Sequence, residues 1–190
     1  MNYNEIFQDL KIRLTKLSSP LVHTPDFTGA IVNYFKDKFS SHVVLSHVGK
    51  HEYLYDICVM DFHPLDIYKN DKDSYKVYLV VESELGGTSA TSAKLVEKNV
   101  IEDFFKILQA NAENKIFIGI YSGNQNESGV LENRIRKMFE ISQKTDNQTQ
   151  ILVVLIEGVH SGDSRHRQVK IKNPLNINGF IIAPQSYSSI

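Results

Sequence analysis

Residues 75–87 read YKVYLVVESELGG, and the fold turns on how this stretch is taken. Val77-Tyr78-Leu79-Val80-Val81 is an apolar, β-branched run of strand length. It ends in Glu82 and Glu84, two carboxylates at i and i+2, which a strand points to one face. Like charges so placed repel unless a cation lies between them or one is protonated. Gly86 and Gly87 then release the chain into a loop.

Working outward, residues 52–62 predict the preceding strand, with Tyr55, Ile57 and Val59 on one face and Asp56, Cys58 and Met60 on the other. The polar stretch 64–74, PLDIYKNDKDS, predicts an exposed hairpin loop between the two. Residues 41–47 predict an earlier strand, followed by a tight turn at Val48-Gly49-Lys50-His51. Two helices come first. Residues 2–17 carry Ile6, Leu10, Leu14 and Leu17 as a helical stripe; the second helix starts at Thr24-Pro25-Asp26, with Thr as N-cap and Pro in the first turn.

Downstream, 92–112 is the most regular helix, with Val96, Val100, Phe104, Leu108 and Ala112 four apart. Residues 115–121 and 150–156 are uninterrupted apolar strands, and 130–142 is the helix between them. Residues 157–168 predict a polar loop, and 169–172 and 179–183 predict terminal strands. The order α-α-β-β-β-α-β-α-β implies α/β architecture: antiparallel hairpins first, then strands joined through helices and parallel to the third. The expected fold is a mixed central sheet flanked by helices on both faces.

A chain of 190 residues, 42% apolar and 23% charged, suits one domain spanning 1–190. The net charge of −1 predicts no global attraction to nucleic acid or membrane, so a polyanion site has to be a local basic patch. The lone cysteine, Cys58, excludes an internal disulfide framework and a Cys-rich zinc site. No apolar run approaches membrane-helix length and no signal-peptide core is present, so a cytoplasmic protein without a membrane is expected. Dinucleotide-binding, Walker A, GxSxG and HExxH motifs are absent from the sequence.

If Phe62 pairs near Lys76, Asp56 falls opposite Glu82, and Asp56, Glu82 and Glu84 converge at one end of the hairpin. A one-residue slip would turn one strand's side chains to the other face. Three such acids suit a hard divalent cation, which takes one or two carboxylates plus water and phosphate. The bland alternative is a set of solvated charges at strand ends. Glu52 offers a fourth carboxylate, or an exposed turn residue.

Asp56, a hairpin, Val80-Val81-Glu82-Ser83-Glu84, a helix and a buried strand together resemble the PD-(D/E)XK (restriction endonuclease-like) nuclease superfamily, in an E-x-E variant. Its α-β-β-β-α-β core has the element order found here from Asp26-Phe27-Thr28 to Tyr121, roughly half the chain. The resemblance implies Mg²⁺ (or Mn²⁺) held by Asp56, Glu82 and the Ser83 carbonyl, with DNA as substrate and a possible homodimer. The third position is usually Lys and here is Glu84. A minority of type II restriction endonucleases carry E-S-E, where that Glu is a candidate general base or second-metal ligand. The proline before the Asp is replaced by Tyr55.

Some members move the lysine to the following helix. Lys94, Lys98 and Lys106 lie there with Glu102, and Lys94, taken as nearest the acids, joins Asp56, Glu82 and Glu84 as a catalytic candidate. The alternative is a solvated face of i,i+4 pairs. Arg165, Arg167 and Lys170, with His166 and Lys172, form the densest basic stretch, either a DNA-contacting element or an ordinary surface loop. Residues 88–92 could meet phosphate or serve only as an N-cap. The sequence therefore predicts a Mg²⁺-dependent endonuclease. Its rivals are an inactive domain of the same fold that binds protein or nucleic acid, and an unrelated α/β phosphohydrolase of small phosphoesters.

Overall fold

The computed structural model describes residues 1–17, 24–46, 54–69, 74–86, 91–123, 127–160 and 169–190. Along them lie α1 (Tyr3–Thr15), α2 (Thr24–Lys38), β1 (Val43–Ser46), β2 (Ile57–Met60), β3 (Val77–Glu84), α3 (Ala93–Gln109), β4 (Asn114–Tyr121), α4 (Val130–Ser142), β5 (Ile151–His160), β6 (Val169–Ile171), β7 (Ile177–Ala183) and β8 (Ser186–Ser189). A 3-10 helix, Pro64–Lys69, occupies part of the expected hairpin loop.

Local chemistry sets the helix limits. Asn2 caps α1 by accepting from the Glu5 N–H, and Tyr3, Ile6, Phe7, Leu10 and Leu14 form its buried stripe. Ser92 caps α3 by accepting from the Leu95 N–H. On α3, Val96, Val100, Phe104 and Leu108 are buried as the four-residue spacing predicts.

The strands form an open eight-stranded mixed sheet in the order β1-β2-β3-β4-β5-β7-β8. β1–β2 and β2–β3 are antiparallel; β3–β4 and β4–β5 are parallel. β7 pairs antiparallel with the first part of β5, and β6 with its end. Glu157 joins the two ladders: its N–H donates to Asn176 O and its carbonyl accepts from the Lys172 N–H. Residues 157–160 therefore continue a strand instead of forming the expected loop. β8 was not expected, because all four of its residues are exposed and carry no apolar alternation.

Laterally paired residues share a face of the sheet. One row runs Glu82, Phe117, Val153, Phe180, and the Phe104 ring of α3 packs edge-on against Phe117. The adjacent row runs Ser83, Ile118, Val154, Gly179, with Phe7 of α1 over Gly179. A Cβ at Gly179 would lie 2.7 Å from that ring, so glycine permits the close approach of α1. α1 and α3 thus cover opposite faces. β4 and β5 are buried along their apolar cores, and Cys58 is buried at 1% exposure, its thiol pushed up to about 12 by burial.

Because α3 and α4 return the chain between parallel strands, both begin at the edge where β3, β4 and β5 end. α2 leads into β1, which runs the same way as β3, so α2 also begins there. Thr24 and Thr28 of α2 accordingly share a pocket with Asp56, Ser83 and Glu84. Among the described residues, no helix is long and apolar enough to cross a membrane.

Candidate active site

The acids expected to converge lie around the end of β3. Glu82 and Glu84 leave it on the α3 face. Asp56 lies in a bend just before β2, which is shorter than the expected strand over 52–62. Leu54, at φ 64, turns the backbone there in a conformation rare for a bulky side chain. Extending the pairing Ile57↔Val81 by one step sets Asp56 across from Glu82. The bonds agree: the Asp56 N–H donates to Glu82 Oε2 at 3.2 Å, and Asp56 Oδ2 accepts from Ser83 N (2.8 Å) and Ser83 Oγ (2.6 Å).

Phe62 does not pair with Lys76 as expected. A bulge between Val59 and Met60 inserts Tyr78 and sets Met60 opposite Val77. Lys76 consequently exchanges bonds with Asp61, not with Phe62. The bulge lies below the acids, so their alignment is unaffected, while Asp61 stays at the far end of the hairpin.

Glu82 is only 5% exposed. Burial, and then the charge of Asp56, push its carboxyl above the usual range, against the pull of Lys106 and the Asp56 N–H. Burial also raises Glu84, helped by the charges of Asp103 and Asp56 and opposed by the Gly86 N–H, 2.9 Å from Glu84 Oε1. Lys106 Nζ lies 2.6 Å from Asp103 Oδ1 and 3.0 Å from Glu82 Oε1. Those two acids, Asp103 first, hold the ammonium above its usual range.

Lys106 therefore replaces Lys94 as the helix lysine at the acids. α3 runs antiparallel to β3, so its first turn overhangs the strand end. Lys94 stands roughly 13 Å along the helix axis from Asp103. The i+4 stripe also drifts about 40° per step, which carries Lys106 off the face of Lys94. Lys98 pairs with Glu102 at 3.5 Å, both exposed, as the solvated-face alternative predicts. Lys106 is one of the three helix lysines the sequence offers; Asp103 is not among the expected residues, and its i,i+3 spacing to Lys106 is the signal that finds it.

Of the basic stretch, Arg165, His166 and Arg167 lie outside the described residues, as do Glu52 and residues 88–90. Lys170 is exposed on β6, opposite Val159, and by strand alternation it emerges on the Glu82 face of the sheet. Lys172 pairs with Glu157.

A pocket of about 170 Å³ opens beside the acids, lined by Thr24, Thr28, Asp56, Ser83, Glu84, Leu85 and Gly86. Among the described residues, no group of three or more His, Cys, Asp or Glu side chains is arranged to hold a metal ion. Mg²⁺ commonly takes only one or two carboxylates, completing its shell with water and phosphate. Asp56 and Glu82, adjacent through the Asp56 N–H bond to Glu82, are two carboxylates of the kind such an ion takes. Comparison with protein-family profiles, curated proteins and solved structures gives no match.

Proposed function

We propose that the chain is a divalent-metal-dependent nuclease of the PD-(D/E)XK type that hydrolyses DNA phosphodiesters. The observation that carries this is the meeting of Asp56 with buried Glu82 at the sheet edge where α2 begins, with Thr24 and Thr28 of α2 in the same pocket as Asp56. Helix N-termini carry positive partial charge and exposed N–H groups, which favour phosphate. The start of α2 supplies local attraction that a net charge of −1 lacks.

Asp56, Glu82 and the Ser83 carbonyl would hold Mg²⁺ or Mn²⁺, as the resemblance implies. A divalent cation bound there would supply Lewis acidity to the phosphoryl group and lower the pKa of the attacking water. Glu84, with its carboxyl raised above the ordinary range, is suited to take the water's proton. Lys106 brings an ammonium to Glu82 and offsets the missing lysine at position 84. Lys170, with Arg165 and Arg167, holds phosphates along the strand, and two copies would cut both strands of a duplex. The test is plasmid cleavage with Mg²⁺ or Mn²⁺: wild type nicks or linearises the plasmid and Glu82→Ala does not. Equal activity in the two rejects the proposal.

One observation favours a second reading. Both Glu82 oxygens are already engaged, Oε1 by Lys106 and Oε2 by the Asp56 N–H. A cluster neutralised from within suits a non-catalytic domain of this type that binds protein or nucleic acid. Calorimetry with Mn²⁺ separates the two: binding heat abolished by Asp56→Ala supports the nuclease, and no such heat supports the binding module.

A further inference from the structure

Beyond the acids, the carboxyl edge holds a second polar group. Tyr121 ends β4, one strand across from Glu84 and two residues past Glu84's partner Gly119, roughly 8 Å away by sheet spacing. It is 8% exposed. Its phenol oxygen accepts from Asn176 Nδ2 at 3.4 Å and Asn178 Nδ2 at 3.5 Å, and Asn178 Nδ2 also reaches Asn176 Oδ1 at 3.4 Å. These bonds are long against the usual ~2.9 Å, so the group is slack. The short contact of Asn176, 2.9 Å, goes to Glu157 Oε2.

Among the described residues, the phenol proton of Tyr121 meets no acceptor and Asn178 Oδ1 meets no donor. The hydroxyl is half-buried beside exposed Asn176, so a ligand offering an acceptor beside a donor can reach and complete the group. Phosphate is a poor candidate. Burial pushes the Glu157 carboxyl up, but Lys172 and Asn176 outweigh it and leave it below the usual range, hence charged. That charge repels an anion and tolerates an amino group.

We infer that Tyr121 and Asn178 read the edge of a nucleobase beside the cleavage cluster, an inference that rests on the nuclease proposal. In the major groove, adenine presents N7 as acceptor next to the N6 amino donor. Tyr121 donates to N7, and Asn178 Oδ1 accepts from N6. The separation from Glu84 corresponds to about two base steps at 3.4 Å. Lys170, exposed on the same face and without an ion pair among the described residues, contacts phosphate and carries no sequence information.

The experiment selects bound sites from a pool of random duplex DNA with the Glu84→Gln protein, then repeats it with Tyr121→Phe, Asn178→Ala or Lys170→Ala added. The expected sites share an adenine at one position. Tyr121→Phe and Asn178→Ala each relax that preference about 5- to 100-fold. Lys170→Ala weakens binding evenly across sequences and lowers the salt slope by about 1. Tyr121→Phe removes one oxygen and serves alone if Asn178→Ala does not fold. DNA binding without sequence preference, or a preference kept in both variants, overturns the inference and leaves the nuclease proposal standing. If wild type neither binds nor cuts DNA, both fall.

Discussion

At the carboxyl edge of the parallel strands, Asp56, Glu82, Glu84 and Asp103 lie together, and Lys106 pairs with Glu82 and Asp103. At the amino edge, Lys115 is 4% exposed and, among the described residues, forms no ion pair. Its Nζ donates to Leu108 O at 3.1 Å, near the end of α3, and to Asn147 Oδ1 at 2.8 Å. Asn147 is held in turn by Thr149, through both its oxygen and its amide. The buried lysine supplies a donor where a helix runs out of N–H groups, and neutral acceptors satisfy it. The acids are balanced less completely: Lys106 offsets Glu82 and Asp103, yet burial and neighbouring acids still raise Glu82 and Glu84. A fold that holds like charges together gives up stability at that point, the usual mark of a site kept for chemistry.

The sharpest way to break this contrast is to remove one charge from each edge. Glu82→Ala should lower plasmid cleavage on the order of 10³-fold or more while the protein stays folded. Lys115→Ala should do the reverse. Losing the ammonium strands Leu108 O and Asn147 Oδ1 and opens a cavity, so unfolding in urea should cost about 2–4 kcal/mol less. Cleavage per folded molecule should not change. If Lys115→Ala is neutral to stability, the amino edge is not the structural clamp described.

Lys106→Ala sharpens the carboxyl side. With the ammonium gone, cleavage should fall about 10- to 100-fold, and Lys106→Arg should recover part of it. Lys94→Ala should change cleavage by less than the scatter of the assay, because α3 carries that residue past the strand end.

The smallest effect is in pH, where the sign is the test. Glu82 and Glu84 have raised folded pKa values, so their contribution to stability is full below about pH 4.3 and is lost as pH rises through the folded values. Glu84→Gln should therefore gain on wild type as pH rises across that window, in thermal melts from pH 4 to 7. Burial lowers Lys115, so its contribution is full above about pH 10.4 and is lost as pH falls through the folded value. Against Lys115→Met, wild type should gain as pH rises toward 10. Slopes of the same sign at both edges would contradict the contrast.

The sequence made the sheet readable because β3, β4 and β5 are nearly continuous apolar runs bounded by polar turns. Their parallel pairing followed from the helices between them. The facing of Asp56 and Glu82 was also legible, although through a pairing displaced by one residue. A bulge at Tyr78 leaves no signature in an alternation already blurred by burial on both faces. β8 was hidden for the opposite reason, since an exposed edge strand such as SYSS has no apolar period. Among the three helix lysines the sequence offers, nearness in sequence favours Lys94, whereas nearness in space favours Lys106. The eight residues between Glu84 and Ala93 let α3 start above the acids and reach them only about three turns later.

The most direct test is a crystal soaked in Mn²⁺ and measured at the manganese absorption edge. Anomalous density within about 2.2 Å of Asp56 and Glu82 oxygens, with Lys106 displaced from Glu82, is the predicted result. No anomalous density at these residues, with Lys106 still bonded to Glu82, would contradict a metal-dependent site at the end of β3.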